Sequence, residues 1–149
     1  MTSNIHASCI ALGPSGVIFQ GPSGCGKSDL ALRLIDEGAI LVSDDYVALA
    51  TVDGATHASP PPTIEGLIEV RGLGLLTVPF ANDIEVSLVV ELIDRDKVPR
   101  LPDPDDTHIE LLAGLPIPLI RLSAYDPSTP AKIRLAIKAL HDGSIRTTL

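Results

Sequence analysis

The sequence predicts an α/β fold in which a phosphate-binding loop joins a strand to a helix on a mixed sheet flanked by helices. Three observations carry that prediction. Gly21-Pro22-Ser23-Gly24-Cys25-Gly26-Lys27-Ser28 fits the pattern G-x-x-x-x-G-K-[ST]. Ser15 to Gln20, immediately before it, is a short apolar run with the character of a buried strand. Asp29 to Asp36, immediately after it, carries Leu30, Ala31, Leu34 and Ile35 at helical spacing. Strand, loop and helix in this order give the pattern its meaning. Outside that setting the same residues are a glycine-rich turn.

Taken in order, Ile5 to Leu12 reads as a first strand, with His6 at its start. The turn cluster Gly13-Pro14-Ser15-Gly16 then sends the chain back through Val17 to Gln20 as a hairpin. The first helix is expected from Lys27 to Glu37, stopping at Gly38 as a C-terminal cap. Ala39 to Ser43 is a buried strand with Asp44-Asp45 at its end, and Tyr46 to Val52 another, closed by an Asp53-Gly54 turn. Pro60-Pro61-Pro62 breaks regular structure. Ile64 to Val70 leads into a second glycine-punctuated stretch, Arg71-Gly72-Leu73-Gly74-Leu75-Leu76. Ile84 to Ile93 has strand character, and Asp94 to Thr107, charged and rich in proline, reads as a mobile surface loop. Ile109 to Leu112 is assigned a short helix, and Pro116 to Leu122 is apolar but broken by two prolines. Pro130 to His141 is an amphipathic helix with Ile133, Ala136, Ile137 and Leu140 on one face. No repeat or linker divides the chain, so residues 1–149 are read as one domain.

Composition narrows the function. The 149 residues are 45% hydrophobic and 20% charged, enough for a core, and with aromatics at 3% that core must be built from Val, Ile, Leu and Ala. A formal net charge of −8 argues against nucleic acid as the partner, because such proteins present a basic face to phosphates. No apolar run is long enough to span a membrane, and no basic-then-apolar leader opens the sequence. Cys9 and Cys25 are read as reduced thiols of a cytoplasmic protein.

The loop supplies a chemistry. Glycines let the backbone turn tightly and aim several N–H groups at one anion. Lys27 is placed to put its charge on the β- and γ-phosphates of a nucleotide, and Ser28 to offer its hydroxyl to Mg2+. The following helix adds the positive end of its dipole. The doublet Asp44-Asp45 divides naturally into one carboxylate facing the metal and one accepting the proton of a substrate hydroxyl, unless it is a solvated acidic turn. Glu69 is a second metal-side carboxylate or else an ion-pair partner of Arg71. Arg71 and Arg100 are the candidates for further positive charge on a transferring phosphoryl group. His6, His57, His108 and His141 show no metal-ligand spacing.

Gly21 to Leu32, Gly38 to Val47 with Leu41-Val42-Ser43-Asp44-Asp45, and Ile68-Glu69-Val70-Arg71-Gly72-Leu73-Gly74-Leu75-Leu76 together resemble the HPr kinase/phosphorylase family. The specific part is the aspartate doublet after the loop helix combined with the Glu-x-Arg-Gly-Leu-Gly segment. The resemblance covers roughly residues 4 to 122 and only the catalytic domain of longer members. It implies the fold of that C-terminal domain, akin to PEP carboxykinase. It implies a kinase that uses ATP and Mg2+ to phosphorylate a serine of the phosphocarrier protein HPr, and a reverse reaction in which inorganic phosphate removes that group. By position it makes Lys27 the phosphate-contacting lysine and Ser28 a metal ligand. Asp45 becomes the general base, acting as acid in reverse, and Asp44 stays on the metal side. Glu69 becomes a further metal-side carboxylate, His6 an active-site histidine and Arg100 an active-site arginine. Family members carry a Gly-Arg-Asn segment and a long C-terminal helix where this chain reads Ser123 to Pro130 and one helix. The reverse reaction and oligomer contacts belong to those parts, so a homo-oligomer is left open. The rival expectations are a small-molecule kinase with an enclosed substrate pocket, and a nucleotide-binding regulatory module without transfer chemistry.

Overall fold

The structure, a computed structural model, describes residues 2–144. Eleven strands and two α-helices occur in it: β1 Thr2–His6, β2 Ser8–Leu12, β3 Ser15–Gln20, α1 Lys27–Asp36, β4 Ile40–Ser43, β5 Tyr46–Val52, β6 Ala55–Ser59, β7 Leu67–Val70, β8 Gly74–Thr77, β9 Ile84–Leu92, β10 Ile109–Leu112, β11 Leu115–Leu122 and α2 Thr129–Asp142. The main sheet runs β1-β5-β6-β9-β3-β2-β4, with β11 joined to β9 and β10 to β11, while β7 and β8 form a separate two-stranded sheet. It is mixed, as expected: β3 and β11 lie parallel to β9, and the hairpins are antiparallel.

Period-two alternation decides which side each residue serves. On β3, Val17 and Phe19 point to one face and Ile18 to the other; on β9, Leu88, Val90 and Leu92 oppose Val89 in the same way. The first face packs against both helices, through Leu30, Ala31 and Leu34 of α1 and Ile133, Ala136 and Ile137 of α2. Each leucine or isoleucine among them, when fully buried, contributes about 1.5–3 kcal/mol. The second face is closed by strands rather than helices, with Val47, Leu49, Ala58, Leu112, Ile117 and Leu119 folded over it. The two helices therefore share one side, and the sheet curls to cover the other with itself.

Three expectations are corrected. Ile5 to Leu12 is two strands: β1 pairs with β5 and β2 with β3 and β4, and the switch falls at Ala7, whose N–H donates to the Asp45 carbonyl at 3.0 Å. A continuous apolar run gives no sign of such a change of partner. Ile109 to Leu112 is a strand, held as a hairpin with β11 by Ala113 and Gly114, both at positive φ (51° and 79°). Four residues, three of them apolar, are too few for periodicity to separate helix from strand. Pro116 and Pro118 lie inside β11 instead of breaking it. They pair with Leu111 and Ile109, and β9 joins β11 only from Leu119 onward, where the Leu119 N–H donates to the His108 carbonyl. Neither proline occupies a position where its missing N–H interrupts that ladder.

Candidate active site

The loop between β3 and α1 occupies the setting that its pattern requires. Gly26 is the N-cap of α1 at φ 98°, and a Cβ there would stand 2.8 Å from Ala124 Cβ, so the position admits only glycine. Asp29 in the first helical turn pairs with Arg33 at 3.1 Å, favouring the helix start, and Gly38 at φ 109° ends it one residue past the Glu37 cap. Lys27 is almost fully buried. Its Nζ donates to the carbonyls of Gly21 at 2.7 Å and Pro22 at 3.1 Å, so the ammonium folds back on the loop's own backbone.

Asp44 and Asp45 separate sharply. Strand β4 ends at Ser43, and Asp45 takes φ 73°, a left-handed turn that aspartate tolerates better than most residues. Asp44 is turned inward and buried. Its Oδ1 accepts hydrogen bonds from the hydroxyls of Ser8 at 2.9 Å and Ser28 at 2.7 Å, and its Oδ2 accepts the Glu69 N–H at 3.3 Å. No lysine or arginine pairs with it among the described residues. Asp45 is turned outward, its side chain 66% exposed and its Oδ1 2.9 Å from His6 Nε2. The two acids lie in different environments because the chain leaves the sheet between them.

A cavity of about 440 Å3 gathers much of the expected set: His6, Ser23, Gly24, Gly26, Lys27 and Ser28 line it together with Asp45, Glu69 and Arg71. Asp45, Glu69 and Arg71 are exposed at its rim. Gly21, Pro22 and Cys25 belong to the loop but do not line this cavity, and Cys25 is a free thiol like Cys9. Glu69 reaches Asp44 through its backbone N–H, and no ion pair joins Glu69 to Arg71 among the described residues. Arg100 lies in the 94–107 segment, past a single 3-10 turn at Arg95–Lys97, and does not line the cavity; Arg71 does.

Mg2+ takes compact sets of oxygen ligands. Ser28 and Asp44 supply a hydroxyl and a buried carboxylate without a countercharge, a donor set that fits the ion. No cluster of three His, Cys, Asp or Glu side chains occurs among the described residues, and Glu69 is the further carboxylate on the cavity wall.

Two residues were not singled out from the sequence. Ser8, fully buried, donates to Asp44 and stands 3.5 Å from the Asp45 N–H, linking the doublet to β2. A hydroxyl inside the apolar run Ile5 to Leu12 was the available signal. Tyr125, whose hydroxyl donates to the Gly24 carbonyl at 3.2 Å, has no local pattern to mark it.

Fold and loop together define an α/β domain organised around a strand–loop–helix cavity with one buried and one exposed carboxylate. Comparison with known proteins gives its family. Residues 1–125 match the family model described as HPr Serine kinase C-terminal domain. An HPr kinase/phosphorylase of Bordetella pertussis is 38% identical over 132 residues, 81% of this chain and 42% of that protein. An HPr kinase/phosphorylase of Enterococcus faecalis is 35% identical over 130 residues, covering 80% of this chain and 42% of its own. The solved structure described as Hpr(Ser) kinase/phosphatase from Coxiella burnetii aligns with a TM-score of 0.78 at 28% identity, over 95% of this chain and 96% of that one. The chain belongs to the HPr serine kinase C-terminal domain family. It spans 42% of the length of these curated relatives. No helix among the described residues is long and apolar enough to cross a membrane.

Proposed function

We propose that this domain transfers the γ-phosphoryl group of ATP to a serine hydroxyl of a small phosphocarrier protein of the HPr type. The observation that carries the reading is the opening of Asp45, paired with His6, into the cavity that also holds Lys27 and Ser28. Loop amides and Lys27 bind the phosphates, the lysine giving up its bonds to Gly21 and Pro22 for the stronger charge of the ligand. Ser28 and Asp44 are the residues that would hold Mg2+, which when bound supplies charge at the transferring phosphoryl group. His6 orients the Asp45 carboxylate, and Asp45 takes the proton of the incoming serine hydroxyl. Phosphoryl transfer is mainly positioning and charge stabilisation, so the protonated Asp45 can return its proton to a leaving serine oxygen in the reverse direction. Arg71 at the rim, rather than Arg100, is the arginine already at hand. The exposed rim favours a protein substrate over a small molecule.

The test is to incubate the protein with labelled ATP, Mg2+ and purified HPr. Label on an HPr serine, lost with Asp45→Asn, is the expected result. Label passing only to small metabolites would replace the reading with a small-molecule kinase. Nucleotide binding without any transfer would replace it with a regulatory module.

A further inference from the structure

A second cavity, of about 510 Å3, adjoins the first, and Gly24 and Tyr125 line both. Its walls include Pro22, Leu92 and Ile93 together with Arg95 and Lys97, which are paired to Asp126 and Asp94 at 3.5 and 3.7 Å. Tyr125 stands at the junction. It is one of only four Phe and Tyr residues in a chain without Trp, yet it is 65% exposed. Its position is nevertheless fixed. The hydroxyl is anchored on the Gly24 carbonyl, and the ring rests so close to Gly26 that a Cβ there would come within 3.0 Å of Cζ. A ring pinned to the phosphate loop by its hydroxyl, with most of its surface uncovered, is suited to receive a flat apolar ligand.

We propose that Tyr125 is the platform on which the nucleotide base stacks, with the second cavity receiving base and ribose. This rests on the phosphate-site reading above. Phosphates held at Lys27 leave the rest of the nucleotide to emerge past Gly24, where the ring waits. Stacking recognises a π-face and not an edge, so purine nucleotides are bound with little discrimination.

Calorimetric titration with Mg2+-ATP and with Mg2+-tripolyphosphate, which has no base, tests the assignment in wild type, Tyr125→Phe and Tyr125→Ala. The expected result is an ATP affinity about tenfold weaker in Tyr125→Ala and only a fewfold weaker in Tyr125→Phe, which keeps the ring but loses its bond to Gly24, with tripolyphosphate bound equally by all three. ATP bound equally by wild type and Tyr125→Ala overturns the proposal, as does a parallel loss of both ligands, which would mean that the ring only shapes the loop. Failure of wild type to bind either ligand removes the phosphate-site reading itself, and the platform with it.

Discussion

Ser28 on the first turn of α1 and Asp44 just past β4 are joined by a 2.7 Å hydrogen bond in which the hydroxyl donates to the carboxylate. The bond ties the start of α1 to the acidic doublet across 16 residues of sequence. Ser8 donates to the same oxygen, so among the described residues the donors to this buried carboxylate are all neutral. Ser8→Ala removes one of them without unfolding the strand. A hydrogen bond to a charged group is worth about 1.5–3 kcal/mol, and a loss of stability at the lower end is expected by urea denaturation. Transfer activity should fall more than nucleotide affinity, because Ser8 also stands behind the Asp45 N–H. Ser8→Thr should restore part of both.

Asp45 can be separated into backbone and carboxylate. Asparagine adopts the left-handed conformation readily, so Asp45→Asn should keep stability within about 0.5 kcal/mol and abolish transfer while ATP still binds. Asp45→Val combines loss of the carboxylate with a β-branched residue at φ 73° and should also lower stability by about 1–3 kcal/mol. Thermal denaturation alongside a transfer assay distinguishes the two effects. Equal activity of Asp45→Asn and wild type rejects the general-base role.

Gly26→Ala should be more damaging than its size suggests. The new methyl group meets Ala124 Cβ at 2.8 Å at a φ of 98°, which pushes the 124–125 segment off the loop. A destabilisation of about 1–3 kcal/mol is expected with a marked loss of nucleotide affinity. Gly13→Ala, whose Cβ meets nothing within 4 Å, is the control for backbone strain alone.

Burial pushes the Cys9 thiol up to about 12 from its ordinary 9.0. The unfolded chain releases that proton first, so the stability linked to it is intact below about pH 9 and is lost as pH rises toward 12. Denaturation midpoints measured across that range should fall more steeply for wild type than for Cys9→Ala, by up to about 1.4 kcal/mol per pH unit. In native protein Cys25, only partly buried, should react with alkylating reagents while Cys9 does not.

What the sequence could disclose was what is local. Ser15 to Gln20, the loop and Leu30 to Leu34 carry strand, turn and helix signals within about twenty residues, and the structure has all three where they were expected. The Asp44-Asp45 doublet was visible as two roles, but which acid faces inward depends on the end of β4 and on Ser8, Ser28 and Glu69 converging from three other elements. The partner change at Ala7 and the pairing of Ile109 to Leu112 with β11 are decisions of tertiary structure, written nowhere in their own residues. The resemblance points to Arg100, which does not line the cavity, whereas Arg71 does; which arginine lies at the rim depends on how the chain folds around it, not on residues next to it in sequence.

Strand β9 carries more of the architecture than any other. Its nine residues meet β6 at Ile84 and Glu85, β3 along one edge and β11 from Val89 to Leu92. It is the keystone of the main sheet. Complementary fragments made by severing the chain within this strand should neither fold separately nor reassemble, whereas a nick in the 98–107 segment should leave the two pieces associated.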